Sequence, residues 1–305
     1  MPDAIAAVRR GFAALSAGQA TVPVRASLPI AGQGVALSMP AALAGGPHWS
    51  AKLVTVTPGN PDRGLPLIFA SVLLGDAVTG RALALLDGTS LTALRTGAAG
   101  GVAAEALARP DSAVVAVFGA GAQARTQLEA VIAALGDRLR EVRIVSRDVR
   151  HAVALAKSVL PESVDAVAQG APGDVVKGAD IVITATSSPV PVFKGSDLGE
   201  GTHVTAVGSF KPTMRELDED ALRGARIVVD QRGSALAEAG ELQGLRPEDV
   251  IEIGEVISGA ATGRRDPIER TVFKSVGNAV QDLVVASRVY ERALELGLGE
   301  EIPWP

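Results

Sequence analysis

The sequence predicts an α/β protein in which a doubly wound parallel sheet is inserted into a second, α+β unit. Three observations predict it. Between positions 113 and 230, apolar strand-like runs alternate with helical stretches. Between 22 and 87, short β-type runs are separated by turns with no helix between them. A long helical pattern begins at Thr271, after the alternating section has closed. The predicted units are 1–112 plus 271–305, and 113–270.

The elements follow in order. Residues 4–15 read as an amphipathic helix with charges inside it, unlike a secretory leader. The runs VPVRASLPI, GVALSMPA, AKLVTVTP, LPLIFASVLL and RALALLD then read as strands of an antiparallel or mixed sheet. Residues 89–108 read as a helix rich in small residues, ended by Arg109-Pro110 because proline disfavours helix at the residue before it. Next come a strand at 113–118, a helix at 125–135 stopped by Gly136, a strand at 141–145 and a helix at 151–160. Further strands are predicted at 180–186, 203–208 and 226–230. Residues 271–296 read as one long helix returning to the first unit.

Composition narrows the function classes. The 305 residues carry a formal charge of −5, with no basic run interleaved with aromatics, which argues against a nucleic-acid partner. There is no cysteine, so disulfides, thiolate catalysis and cysteine metal sites are excluded. His48, His151 and His203 are far apart, and no metal site is expected. No apolar run reaches the ~20 residues that span a bilayer, so no membrane partner is expected either. The expectation is a cytoplasmic protein.

The most informative motif is Gly119-Ala120-Gly121-Ala122-Gln123-Ala124, a GxGxxA that follows an apolar strand and opens a helix. In that setting Gly119 permits a tight turn and Gly121 lets backbone N–H groups approach a pyrophosphate. Ala124 allows close helix–strand packing, and the helix N-terminus adds partial positive charge. The inserted unit is therefore read as Rossmann-like and dinucleotide-binding. The end of its second strand, Ser146-Arg147-Asp148, puts a cation where a ribose 2′-phosphate would lie. NADP(H) is the preferred cofactor and NAD(H) the alternative.

Upstream, the run Leu91-Thr92-Ala93-Leu94-Arg95-Thr96-Gly97-Ala98-Ala99 resembles a helix of the ornithine cyclodeaminase/mu-crystallin family. So do Val24-Arg25, Ser38-Met39-Pro40-Ala41, Ala51-Lys52-Leu53-Val54, Leu86-Asp87-Gly88, Ala206-Val207-Gly208, Arg215-Glu216-Leu217-Asp218 and Thr271-Val272-Phe273-Lys274-Ser275. The matches keep their order over nearly the whole chain. The ketimine-reductase branch is most similar, through Gly254–Ala260 (GEVISGA) and TVFKS. The resemblance implies a homodimer built on the non-Rossmann unit and an active site in the cleft between units. It implies that Arg25, Lys52 and Arg95 hold a substrate carboxylate, which suits arginine's bidentate geometry. Lys52 and Arg95 are the catalytic candidates, Lys52 through proton transfer if cationic neighbours depress its pKa. Thr96, Gly121, Ala122, Gln123, Ser146, Arg147, Thr186, Ser187, Val207 and Ser275 match positions that contact the dinucleotide, and Glu238 a position near the small molecule.

Two departures separate this chain from ornithine cyclodeaminase itself, which needs acids to engage a diamino acid. Phe210 stands where one is expected, and Val35-Ala36-Leu37-Ser38 lacks the other. An ammonium against such apolar groups would lose hydration without recompense. The resemblance thus implies NAD(P)H-dependent reduction of a ketimine or cyclic imine carboxylate, such as Δ1-pyrroline-2-carboxylate. Ornithine cyclodeamination and a non-enzymatic, NADP(H)-dependent ligand-binding role are the alternatives, and alanine-dehydrogenase-like oxidation is a weaker one.

Overall fold

Pro2 and Asp3 open helix α1 (Pro2–Ser16), where a missing N–H costs nothing and an acid suits the helix dipole. Its apolar face buries Ile5, Val8 and Phe12. The computed structural model describes residues 1–303. After α1 come β1 (Ala20–Thr21), β2 (Ala26–Ile30), β3 (Gly34–Leu43), β4 (His48–Val56), β5 (Ile68–Asp76) and β6 (Ala82–Asp87). They form a six-stranded sheet whose pairings are all antiparallel. On β4, Ser50, Lys52, Val54 and Val56 are buried while Leu53 is exposed. This alternation gives the sheet an inner and an outer face. Arg25, expected within a strand, lies instead in the link between β1 and β2. Pro23 has no N–H to give a sheet ladder.

Asp87 caps α2 (Gly88–Leu107) by accepting from the backbone N–H groups of Thr89 and Ser90. The small residues of α2 allow another helix to approach closely. A Cβ at Gly97 would collide with the Thr126 carbonyl, so only glycine fits at this crossing.

The chain then runs through β7 (Val114–Phe118), α3 (Ala122–Leu135), β8 (Glu141–Val145), α4 (Val149–Val159), β9 (Asp165–Gln169), β10 (Ile181–Thr184) and β11 (His203–Ala206). It continues through α5 (Glu219–Leu222), β12 (Arg226–Val229), α6 (Arg232–Glu238), β13 (Ile251–Glu252), α7 (Ile253–Ile257), β14 (Thr271–Lys274) and α8 (Ala279–Leu296). The eight strands from β7 onward form one sheet, ordered β13-β12-β14-β11-β10-β7-β8-β9, with every pairing parallel. Val115, Val117, Ile144 and Ile183 pack on one face, and Ala116, Phe118, Val182 and Val204 on the other. Cover on both faces is why these strands read as continuous apolar runs.

The reading of 271–296 as one helix is corrected. Thr271–Lys274 is a fully buried strand between β11 and β12, and the helix starts at Ala279. Gly277, with φ at 79°, makes the break between them. The chain therefore leaves the parallel sheet after Lys274 rather than before Thr271. The first half of α8, Ala279 to Ala286, is wholly buried and packs with α1, α2 and the inner face of the antiparallel sheet.

Candidate active site

Parallel strands end together, so the tips of β7, β10, β11 and β14 form one edge. At the tip of β7, Gly119 has φ of 109°, and a Cβ there would strike the carbonyl oxygen of Ala185 beyond β10. Gly121 caps α3 with no side-chain hydrogen bond, and a Cβ on it would meet nothing within 4 Å. The first N–H groups of α3, at Ala122 and Gln123, thus face open space without a side-chain cap. This is the arrangement an anionic pyrophosphate requires, so the residues present fit a dinucleotide.

The neighbouring tips carry the other predicted residues. Thr186 follows β10 and donates to Glu216 from its N–H at 2.7 Å and its hydroxyl at 2.8 Å. Ser187 beside it is exposed. Val207 follows β11, its N–H donating to the Thr184 carbonyl. Ser275 follows β14, and its hydroxyl donates to buried Asp230 at 2.8 Å. Thr96 is buried in α2, where its carbonyl accepts from Gln127 of α3 at 2.7 Å. Ser146 is half-buried at the tip of β8, and Arg147 is exposed. The Asp148 carboxylate is turned to the N-terminus of α4, accepting from the Arg150 N–H and guanidinium. Those contacts hold it below the usual carboxylate range, the guanidinium first.

Directly beyond β14 lies a cluster of charges. Lys52, projecting inward from β4, is 1% exposed, and its Nζ lies 2.9 and 2.7 Å from the two carboxylate oxygens of Asp282 on α8. Arg95 of α2 places Nε 3.1 Å from the same carboxylate and donates from Nη1 to Gln281 Oε1. Arg25 donates to the Gly277 carbonyl at 2.9 Å and pairs with Glu238 at the end of α6, also at 2.9 Å. The Gly277 N–H in turn donates to Asp230. Arg25, Lys52, Arg95 and Glu238, far apart in the chain, are thus brought to one place. Burial pushes Lys52 down to about 8, with Arg95 and Arg25 adding to the fall and Asp282 opposing it. Burial raises Glu238, and Asp230 adds to the rise while Arg25 works against it.

A profile of the ornithine cyclodeaminase/mu-crystallin family matches residues 1–297. The chain belongs to that family. A relative from Bacillus cereus, named Delta(1)-pyrroline-2-carboxylate reductase, is 40% identical over 297 residues, which is 94% of this chain and 90% of the relative. The solved Delta(1)-pyrroline-2-carboxylate reductase of Thermococcus litoralis, in complex with NADH and L-proline, superposes with a TM-score of 0.91 at 36% identity, covering 98% of this chain and 95% of its own. An archaeal alanine dehydrogenase dimer with bound NAD gives 0.92 at 36% identity, over 100% of this chain and 95% of its own.

Several family-site neighbours were not legible from motif matching. Asp282 and Gln281 have a signal in retrospect: a polar pair inside the otherwise apolar, buried first half of α8. Glu216 has a weaker one, in Arg215-Glu216-Leu217-Asp218. Its fully buried carboxylate accepts from the Thr184 hydroxyl, the Thr186 N–H and hydroxyl, and the Gly208 N–H. It therefore staples the tips of β10 and β11 together. A glutamine there turns an amide donor toward donors. Glu216→Gln should lower the unfolding free energy by about 2–3 kcal/mol, read by urea denaturation.

Proposed function

We propose that the protein uses NAD(P)H to reduce the C=N bond of a ketimine carboxylate, with Δ1-pyrroline-2-carboxylate the favoured substrate and proline the product. The observation that carries this is the convergence of Arg25, Lys52 and Arg95 immediately beyond the tip of β14, on the same edge as the open N-terminus of α3. The Bacillus and Thermococcus relatives add to it by name. A nicotinamide held at this edge would supply the hydride that the imine carbon gains. The chain's own residues hold the substrate. Arg25, Lys52 and Arg95 neutralise and orient its carboxylate, and fixing the reactants together removes much of the entropic barrier. Lys52 Nζ is charged below about pH 8 and so serves this role at neutral pH. Glu238, half-buried beside Arg25, accepts from the protonated imine nitrogen and keeps its proton in place. Gly119, Gly121, Ala122, Gln123, Ser146, Arg147, Thr186, Ser187, Val207, Ser275 and Thr96 would line or support the cofactor.

This reading is favoured over cyclodeamination because position 210 is Phe, with the Lys211 ammonium 5.7 Å from its ring centroid. A phenylalanine at that position cannot itself receive a second amine. The antiparallel sheet with α8 serves as the substrate-binding and dimerisation unit. Its outer face exposes Leu28, Leu53, Phe69 and Leu85. Exposed apolar side chains on one sheet face suit a self-complementary twofold contact. The alanine dehydrogenase relative is itself a dimer. Dependence on reduced nicotinamide also suits work in the cytoplasm.

For the cofactor we favour NADP(H). Arg147 is exposed at the tip of β8, and Asp148 is committed to capping α4, so it is not free to accept from a ribose hydroxyl. The two solved relatives hold NADH and NAD, so the preference must come from this chain's own residues.

Four experiments test these points. Purified protein should oxidise NAD(P)H in the presence of Δ1-pyrroline-2-carboxylate, followed at 340 nm. Arg95→Met should lose about a hundredfold or more in kcat/KM for the imine while KM for the cofactor changes little. Absence of turnover in the wild type would overturn the reading. Arg147→Ala should lower the NADPH-to-NADH ratio of kcat/KM by about tenfold, and an unchanged ratio would sink the NADP(H) preference. Leu53→Asp should convert a dimer to a monomer by light scattering, since burying a lone charge opposes association.

A further inference from the structure

A carboxylate buried in the middle of a carboxylate-binding clamp calls for a reason. Asp282 is completely buried and touches two of the three clamp cations. Its two oxygens engage Lys52 Nζ, and one also faces Arg95 Nε. Gln281, the residue before it, holds Arg95 Nη1. The first turn of α8 therefore sets the orientation of both side chains and leaves their remaining donors for a ligand.

The groups that face Lys52 come from every element around it. Asp282 reaches it from α8, Arg95 from α2 and Arg25 from the link before β2. Glu238 on α6 faces Arg25, and Asp230 lies behind Glu238. Burial, Arg95 and Arg25 all favour the neutral amine. Asp282 is the group that opposes them, by charge and by hydrogen bond. Without it the ammonium would lose its proton at a lower pH, and the clamp would lose one of its charges.

We infer that Asp282 is a positioning residue that orients Lys52 and Arg95 and holds the Lys52 ammonium in place against its two cationic neighbours. This rests on reading the cluster as the substrate site. Asp282 acts through its two neighbours and does not itself meet the substrate.

The test uses binding, so that it does not depend on turnover. Pyrrole-2-carboxylate is a planar monoanion whose ring nitrogen does not titrate in the working range. Its binding to the wild-type protein, with saturating reduced cofactor, is measured by calorimetry in buffers of different ionisation enthalpy. Little proton uptake is expected near pH 7, and most of one proton near pH 9, because Lys52 is charged at the first and largely neutral at the second. Uptake of nearly a full proton near pH 7 would overturn the proposal using the wild type alone. In Asp282→Asn, the pH at which affinity falls should drop by about one unit or more. A folded Asp282→Asn protein with an unmoved affinity limb would refute the positioning role, since a purely structural aspartate alters only stability. If the linkage behaves as stated but no imine is reduced, the reductase reading fails and the positioning role stands. If the monoanion does not bind at any pH, both fail.

Discussion

The arrangement of the molecule depends on one buried charge cluster, in which the Asp282 carboxylate of α8 is held between Lys52 of β4 and Arg95 of α2. Three elements from distant parts of the chain meet at that point. Withdrawing these groups from water costs several kcal/mol per ion, and apolar residues of similar size would be at least as stable. An ion cluster retained at such a cost points to a task other than stability. Here the cost is offset by mutual pairing, by Gln281 on Arg95 and by the close packing of α8 against the sheet.

The link between β14 and α8 joins this cluster to the dinucleotide edge. Ser275 and the Gly277 N–H both donate to buried Asp230, while the Gly277 carbonyl accepts from Arg25. Four residues thus connect the parallel sheet to the clamp through hydrogen bonds. Burial raises the Asp230 carboxyl, and its donors work against that rise. On the neighbouring strands, Glu216 does comparable work with backbone and hydroxyl donors. Lys274 anchors Ser209 and Glu241 from the end of β14, again with complete burial. Asp230, Glu216 and Lys274 each have specific partners, which leaves the loops around them few alternative conformations.

Not every buried polar group belongs to this chemistry. His203 sits at the start of β11, at the opposite end of the parallel strands, between the hydroxyls of Thr271 and Thr205. Burial and the nearby Arg264 push it down to about 3, so it stays neutral and serves packing. A hollow of about 480 Å³ near Ser196, Arg223 and Arg270 also lies at that far end. Depth and concavity thus point to the far end of the sheet, whereas the glycine turn and the charge cluster lie where the parallel strands end.

The sequence by itself determined the class of fold and the dinucleotide turn, because both are local. Apolar runs, helix caps and the Gly119–Gly121 spacing act over a few residues, and their physics does not depend on distant partners. The family resemblance singled out Arg25, Lys52, Arg95 and Glu238, although nothing local ties them together. Two local readings failed where tertiary context overrode them: Thr271–Lys274 became a strand because β11 and β12 pair with it, and Arg25 left its β-type run at Pro23. Only the tertiary structure decided that the three cations meet, and that Asp282 rather than solvent faces two of them. A residue's charge is written in the sequence, but what it is paired with, and hence which proton it keeps, depends on the residues that folding brings beside it.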